Sequence, residues 1–105
     1  MSRNNWGMSE MTYLRKLAKD RPCMVRLPEI CNHNNETTVL AHVRLPGISG
    51  MGMKSPDLIA AWACSACHDA IDRRSHTDLE RDYVRLAHLE GMARTINELA
   101  KEGLL

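Results

Sequence analysis

Apolar and polar positions change rhythm several times along the chain, and each rhythm predicts an element. A polar start over residues 1–8 reads as a loose leader. Ser9 is placed to cap a helix over residues 9–20, with Met11, Leu14 and Ala18 on one face. Asp20-Arg21-Pro22 ends it, because proline cannot continue a helix. Cys23 to Cys31 reads as a tight bend with Pro28 inside, and Asn32-His33-Asn34-Asn35 as a turn-rich loop. Residues 37–45 carry β-formers (Thr37, Thr38, Val39, Val43) and predict a strand that Pro46 stops. Gly47, Gly50 and Gly52 make the following stretch a loop. Residues 58–63 are short and apolar without alternation, which fits a buried strand or a buried helical segment equally. Ser65 can then cap a short helix over residues 66–74. The clearest element is a last helix over residues 77–103. Thr77 and Glu80 have capping-box spacing, and Gly103 is a natural stop. Leu79, Tyr83, Leu86, Leu89, Ala93, Ile96 and Ala100 recur at steps of three and four, a stripe expected to face the core. An interface with a second copy is its other use.

Composition narrows the picture. The chain has 105 residues, 44% apolar and 26% charged, enough for one α+β domain over residues 1–105. The longest apolar run, Leu58 to Cys64, is far short of the ~20 residues a membrane helix needs. Met1-Ser2-Arg3-Asn4-Asn5 has no apolar stretch behind it, so no export signal is expected and the cytoplasm is the expected compartment. Aromatics make up 4%, with no Phe, so a small core needs a staple. In a reducing compartment the four cysteines, Cys23, Cys31, Cys64 and Cys67, read as metal ligands rather than disulfides. The formal charge of +1 does not announce a nucleic-acid binder, and four thiolates with one dication would take it to −1. Any basic surface must therefore be local.

The chemistry concentrates in Cys64-Ser65-Ala66-Cys67-His68. A C-x2-C turn aims two sulfurs at one tetrahedral ion, and Cys23 and Cys31, spaced C-x7-C, supply the other pair of a structural zinc site. His42 lies in the predicted strand, and His68 follows the second knuckle cysteine at a helix start. The order is strand with His, glycine-rich loop, Asp57, apolar segment, C-x2-C-His, helix. This order resembles the HNH (ββα-metal) endonucleases. More closely, it resembles the small prophage-encoded YbcO nuclease family, related to the Ref-type HNH proteins of phages. The residues that carry the likeness are Arg21-Pro22-Cys23, Val25-Arg26-Leu27-Pro28, Ile30-Cys31-Asn32, Glu36-Thr37, Leu40-Ala41-His42-Val43-Arg44-Leu45, Lys54-Ser55-Pro56-Asp57-Leu58-Ile59-Ala60, Ala63 through Asp69, Ile71-Asp72-Arg73-Arg74 and Leu89 through Thr95.

The resemblance implies a zinc-stapled ββα core over residues 21–74 flanked by the two outer helices. It also implies DNA phosphodiester hydrolysis. His42 matches the general base, Asp57 the middle residue that orients it, and His68 a ligand of a catalytic Mg2+ or Mn2+, with Asp72 one helical turn on. His42 and His68 are expected to share a cleft, with Arg44, Lys54, Arg73 and Arg74 as phosphate contacts. Ala41 stands where many HNH enzymes place a further ligand, and Asp57 where they place Asn. A catalytically inactive zinc-stapled DNA-binding or protein-interaction module therefore stays open, with a second copy or a recombination protein as partner. Bland readings stand beside the sharp ones. Asp57 after Pro56 could close a turn, Asp72 to Arg74 could be a solvated face, Met51 and Met53 have no helical spacing, and His33, His76 and His88 carry no expected role.

Overall fold

The computed structural model describes residues 11–45 and 57–104. In order these form α1 (Met11–Ala18), a 3-10 turn (Asn35–Thr37), β1 (Val39–His42), β2 (Ala60–Ala63), α2 (Ser65–Ile71) and α3 (Arg81–Lys101). The fold is α+β. The proposed start of α1 at Ser9, the leader, the 47–56 loop with Met51 and Met53, and Lys54 lie outside the described residues.

Among the described residues, β1 and β2 form one antiparallel pair, with Val39 opposite Ala63, Leu40 opposite Trp62, Ala41 opposite Ala61 and His42 opposite Ala60. The ladder extends by one bond, from Val43 N–H to Ile59 O at 2.9 Å. The strand predicted over 37–45 is shorter because Asn34 caps the 3-10 turn, its side chain accepting from Glu36 N–H, and this holds Thr37 out of the ladder. Within the ambiguous segment at 58–63, Ala60–Ala63 forms a strand. All four residues of β2 are buried, which explains its unbroken apolar run.

Both faces of the hairpin are covered. Ala41, Ala61 and Ala63 pack with Cys23, Val25 and Leu27 of the bend, Cys67 and Ala70 of α2, and Val84 of α3. Trp62 and Leu40 pack on the other side with Leu14, Leu17 and Ala18 of α1 and with Met24 and Leu99. The outer edge of β2 is closed as well. Met24 N–H donates to Trp62 O at 2.7 Å, and Trp62 N–H donates to Thr95 Oγ1 at 2.9 Å. Both outward-facing backbone groups of Trp62 are thus paired. Arg21 lies 4.8 Å over the Trp62 ring and pairs with Glu102, fastening the end of α1 to the end of α3.

Three expectations change. The cap of α2 is Cys64, whose Sγ accepts from Cys67 N–H, not Ser65, and the helix ends at Ile71, with Arg73 in the left-handed region at φ +60°. α3 begins at Arg81 because Thr77 Oγ1 accepts from Leu79 N–H in a local turn, and Glu80 makes no side-chain cap bond. The buried face of α3 is Val84, His88, Gly91, Thr95 and Leu99. Of the apolar stripe expected inside, Leu79 packs against the core and Leu89 and Ile96 are half-buried, while Tyr83 is 50% and Leu86 56% exposed. His88 and Thr95 go inside because each bonds a backbone group of the hairpin. The expected stop holds: Gly103 at φ +75° closes α3, with Leu104 N–H on Leu99 O.

Candidate functional site

The segment from Cys23 to Cys31 folds back through two left-handed residues, Arg26 (φ +54°) and Glu29 (φ +63°). Ile30 and Cys31 N–H both donate to Leu27 O. This turn carries Cys31 back to Cys23, while the β2–α2 junction carries Cys64 and Cys67. The ligand sulfurs of all four lie within 4.8 Å of one another. The Cys64 and Cys31 sulfurs are 3.8 Å apart, and none is in a disulfide. A tetrahedron with Zn–S near ~2.3 Å has S···S edges of about 3.8 Å, the separation of the Cys31 and Cys64 sulfurs. Backbone N–H groups point at the sulfurs, Arg26 on Cys23, Leu27 on Cys67 and Cys67 on Cys64, each at 3.4 Å. Such donors favour thiolates.

The thiols' own electrostatics point the same way. The hydrogen bond from Cys67 pulls Cys23 down to about 4, while the same contact pushes Cys67 up. Burial pushes Cys31 up to about 11. Crowded thiols cannot all ionise beside one another unless a cation neutralises them. The quartet could hold one metal ion. His33 Nδ1 lies 3.7 Å from Cys31 Sγ, a neighbour not expected from the sequence.

His42, at the end of β1, places Nε2 2.5 Å from Asp57 Oδ1. A carboxylate only accepts, so the imidazole donates Nε2–H in this contact. The Asp57 side chain is 1% exposed, and its Oδ2 lies 3.1 Å from Arg15 Nε of α1. That contact is an ion pair by distance but not an aligned hydrogen bond, so Oδ2 stays unsatisfied among the described residues. A cavity of about 410 Å³ opens beside His42, walled by Arg15, Lys19, Thr38 and Leu40.

His68 Nε2 and Asp72 Oδ2 are 3.2 Å apart across one turn of α2. Asp72 also holds Arg74 Nη2 at 2.6 Å, and Asp69 lies 3.8 Å from Arg74 Nε, so Arg74 is already paired. Arg44 presents its carbonyl to Arg85 Nη2 at 3.4 Å. Alternation along β1 turns Ala41 towards α2 and α3, and His42, with Leu40, towards α1. The His42–Asp57 and His68–Asp72 pairs share no partner, and among the described residues only the cysteines gather three or more ligand-type side chains.

His88, one of three histidines with no expected role, has a structural one. It is buried on α3 and donates Nε2–H to Ala41 O at 2.8 Å. Burial pushes its pKa below the ordinary value, the Ala41 bond opposing. Its position at the Val84–Gly91–Thr95 spacing was the available signal. His76 pairs with Asp78 on the surface.

The comparisons agree with this picture. The family model described as "Putative nuclease YbcO" matches residues 12–104. Two relatives of that name, from Escherichia coli (strain K12) and Enterobacteria phage 82, are each 56% identical over 95 residues, covering 90% of this chain and 98% of theirs. A solved structure of a putative bacteriophage protein from Escherichia coli str. K-12 substr. MG1655 is 52% identical, with a TM-score of 0.74 over 87% of this chain and 100% of that one. The match runs from within α1 to the end of α3, so it takes in every residue of the geometry above, and the chain belongs to the YbcO family of putative nucleases.

Proposed function

We propose that the chain is a metal-dependent DNA endonuclease of HNH type. The observation that carries this reading is the His42–Asp57 pair. A buried carboxylate fixes the imidazole tautomer, and the imidazole is half-buried beside an open cavity. In that role His42 Nδ1 takes the proton of a water that attacks the scissile phosphorus, and Asp57 steadies the imidazolium as it forms. Arg15 holds the far oxygen of Asp57 by charge. His68 and Asp72 are the residues that would hold a catalytic Mg2+ or Mn2+. When bound, such an ion supplies positive charge to the phosphate and the leaving oxygen. The cysteine quartet fits a structural Zn2+ by its sulfur spacing and its N–H donors, and it fixes the start of α2, from which His68 projects.

A second reading has its own support. Ala41 is fully buried and offers no ligand, and His68 and Asp72 gain no third ligand among the described residues. A catalytically inactive DNA-binding or protein-interaction module would keep the zinc and the fold, with the exposed Tyr83 and Leu86 as a surface for a second copy or another partner.

Plasmid nicking separates the two. Purified protein with Mg2+ or Mn2+ is expected to nick supercoiled or single-stranded DNA, and His42→Ala is expected to abolish this at unchanged zinc content. Equal cleavage by wild type and His42→Ala would leave only the module.

A further inference from the structure

A cavity of about 320 Å³ opens between the end of α2 and the first turns of α3. Ile71 and Val84 are its apolar wall, His88 lines its side, and Arg73, Arg81 and Arg85 face one carboxylate, Asp82. Guanidiniums stay charged at neutral pH, so three around one small cleft repel one another. Arg15, Arg21, Arg74 and Arg94 each meet a carboxylate, and Arg26 bonds Cys23 O and Met24 Sδ. Among the described residues Arg73 and Arg81 meet none, and Arg85 reaches only the Arg44 carbonyl. The chain's total charge of +1 makes this concentration a local feature.

We propose that this cleft binds the phosphodiester backbone of a nucleic-acid strand, with Arg73, Arg81 and Arg85 as its contacts. The inference rests on the nuclease reading for its choice of ligand. The guanidinium fork matches phosphate oxygens in pairs, which makes arginine suited to this anion. The volume is at the lower end of the roughly 300–1,000 Å³ of ligand pockets, so it fits one segment of a strand. Its position suits the chemistry. Arg85 bonds the backbone two residues past His42, and His88 in its wall bonds the Ala41 carbonyl. The fields of Asp72 and His68 also reach His88. The cleft therefore lies against the end of β1, on the side of the hairpin that faces α2 and α3.

The test is fluorescence anisotropy with labelled single- and double-stranded DNA oligonucleotides, without added Mg2+, across a salt series. Arg81→Gln/Arg85→Gln is expected to weaken binding at least tenfold and to lower the salt slope by about 2, at about 0.9 per phosphate contact. Lys101→Gln, at the far end of α3, is expected to keep the wild-type slope. Wild-type affinity and slope in the folded double variant overturn the proposal, as does equal displacement of DNA by polyglutamate. If the double variant does not fold, arginine Nε–Hε resonances of the wild type decide. Shifts at Arg73, Arg81 and Arg85 on adding the oligonucleotide support the cleft, and their absence at saturation overturns it. Cleavage lost in His42→Ala with binding by the arginines intact keeps both readings. Binding by these arginines without any His42-dependent cleavage removes the nuclease reading alone.

Discussion

A single methyl group decides how closely α3 can lie against the bend that carries Cys23. A Cβ added at Gly91 would meet Val25 Cγ2 at 2.9 Å and the backbone at Met24 O and Val25 Cα at 3.1 Å. Alanine in a helix interior gains about 1 kcal/mol over glycine, while overpacking costs typically about 1–3 kcal/mol. Two of the three neighbours are backbone atoms that cannot swing away, so the cost wins. Gly91→Ala is expected to lower stability by about 1 kcal/mol, read as a lower urea midpoint at unchanged slope. A rise would mean that the bend yields. Asp57 invites a graded series. Asparagine keeps an acceptor for His42 Nε2–H but loses the charge, and leucine loses both. Cleavage is expected to fall about tenfold in Asp57→Asn and on the order of 10²-fold or more in Asp57→Leu, the scale of a displaced general base. Leucine also removes a buried carboxylate whose Oδ2 has no aligned partner. Stability by thermal melt should therefore not follow activity down. If it does, Asp57 is holding the fold rather than the imidazole.

Among the elements, α3 joins the hairpin through polar side chains. His88 donates to Ala41 O, and Thr95 accepts from Trp62 N–H. Burial holds the folded pKa of His88 below its ordinary 6.5, with Asp72 favouring the proton and His68 and Arg85 opposing it. The folded state then binds fewer protons than the unfolded chain. The stabilisation is complete above the unfolded pKa and is lost as pH falls below it towards the folded value. Urea midpoints are expected to drop from pH 8 through 6.5 to 5.5, and His88→Gln, a donor that does not titrate, should flatten that slope. An unchanged slope in the variant would assign the drop to other groups. The same helix marks where local pattern stops being informative. Its existence and its stop at Gly103 were legible, since both follow from short-range spacing. Its buried face was not, because counting apolar residues weights Tyr83 and Leu86, whereas His88 and Thr95 are drawn inside by partners 47 and 33 residues away. Strand against helix at 58–63 was decided by pairing with β1 for the same reason. The cysteine pairs could be read from spacing alone. The His42–Asp57 pairing followed only from resemblance, and Arg81 and Arg85 depend on how α3 crosses α2, which no local motif encodes.

For the molecule as a whole, the cysteine quartet ties the Cys23–Cys31 bend to the β2–α2 junction. A lone two-stranded sheet is marginal in water, and among the described residues six of the sixteen buried apolar side chains around this one are alanine. Cys23 and Cys31 come from the bend, Cys64 and Cys67 from the β2–α2 junction, so one ion would clamp the bend to the junction. A structural zinc contributes roughly 10–16 kcal/mol to folding, against a net stability of about 5–15 kcal/mol for a whole domain, so its removal should unfold the chain. The four sulfurs are not equivalent. Cys67 is fully buried in the main cluster and accepts from Leu27 N–H, whereas Cys31 is partly exposed and has His33 Nδ1 beside it at 3.7 Å. Cys31→Ser leaves three thiolates and an imidazole that can close the shell. It is expected to keep one zinc per chain at weaker affinity, and to lose it in the double variant with His33→Ala. Cys67→Ser leaves a buried hydroxyl and no substitute ligand, and is expected to shed the metal with its far-UV circular dichroism signal. Metal analysis and chelator titration followed by that signal read both effects. Equal loss in Cys31→Ser and Cys67→Ser would mean that His33 cannot turn inward, and that the bend is held by its sulfurs alone.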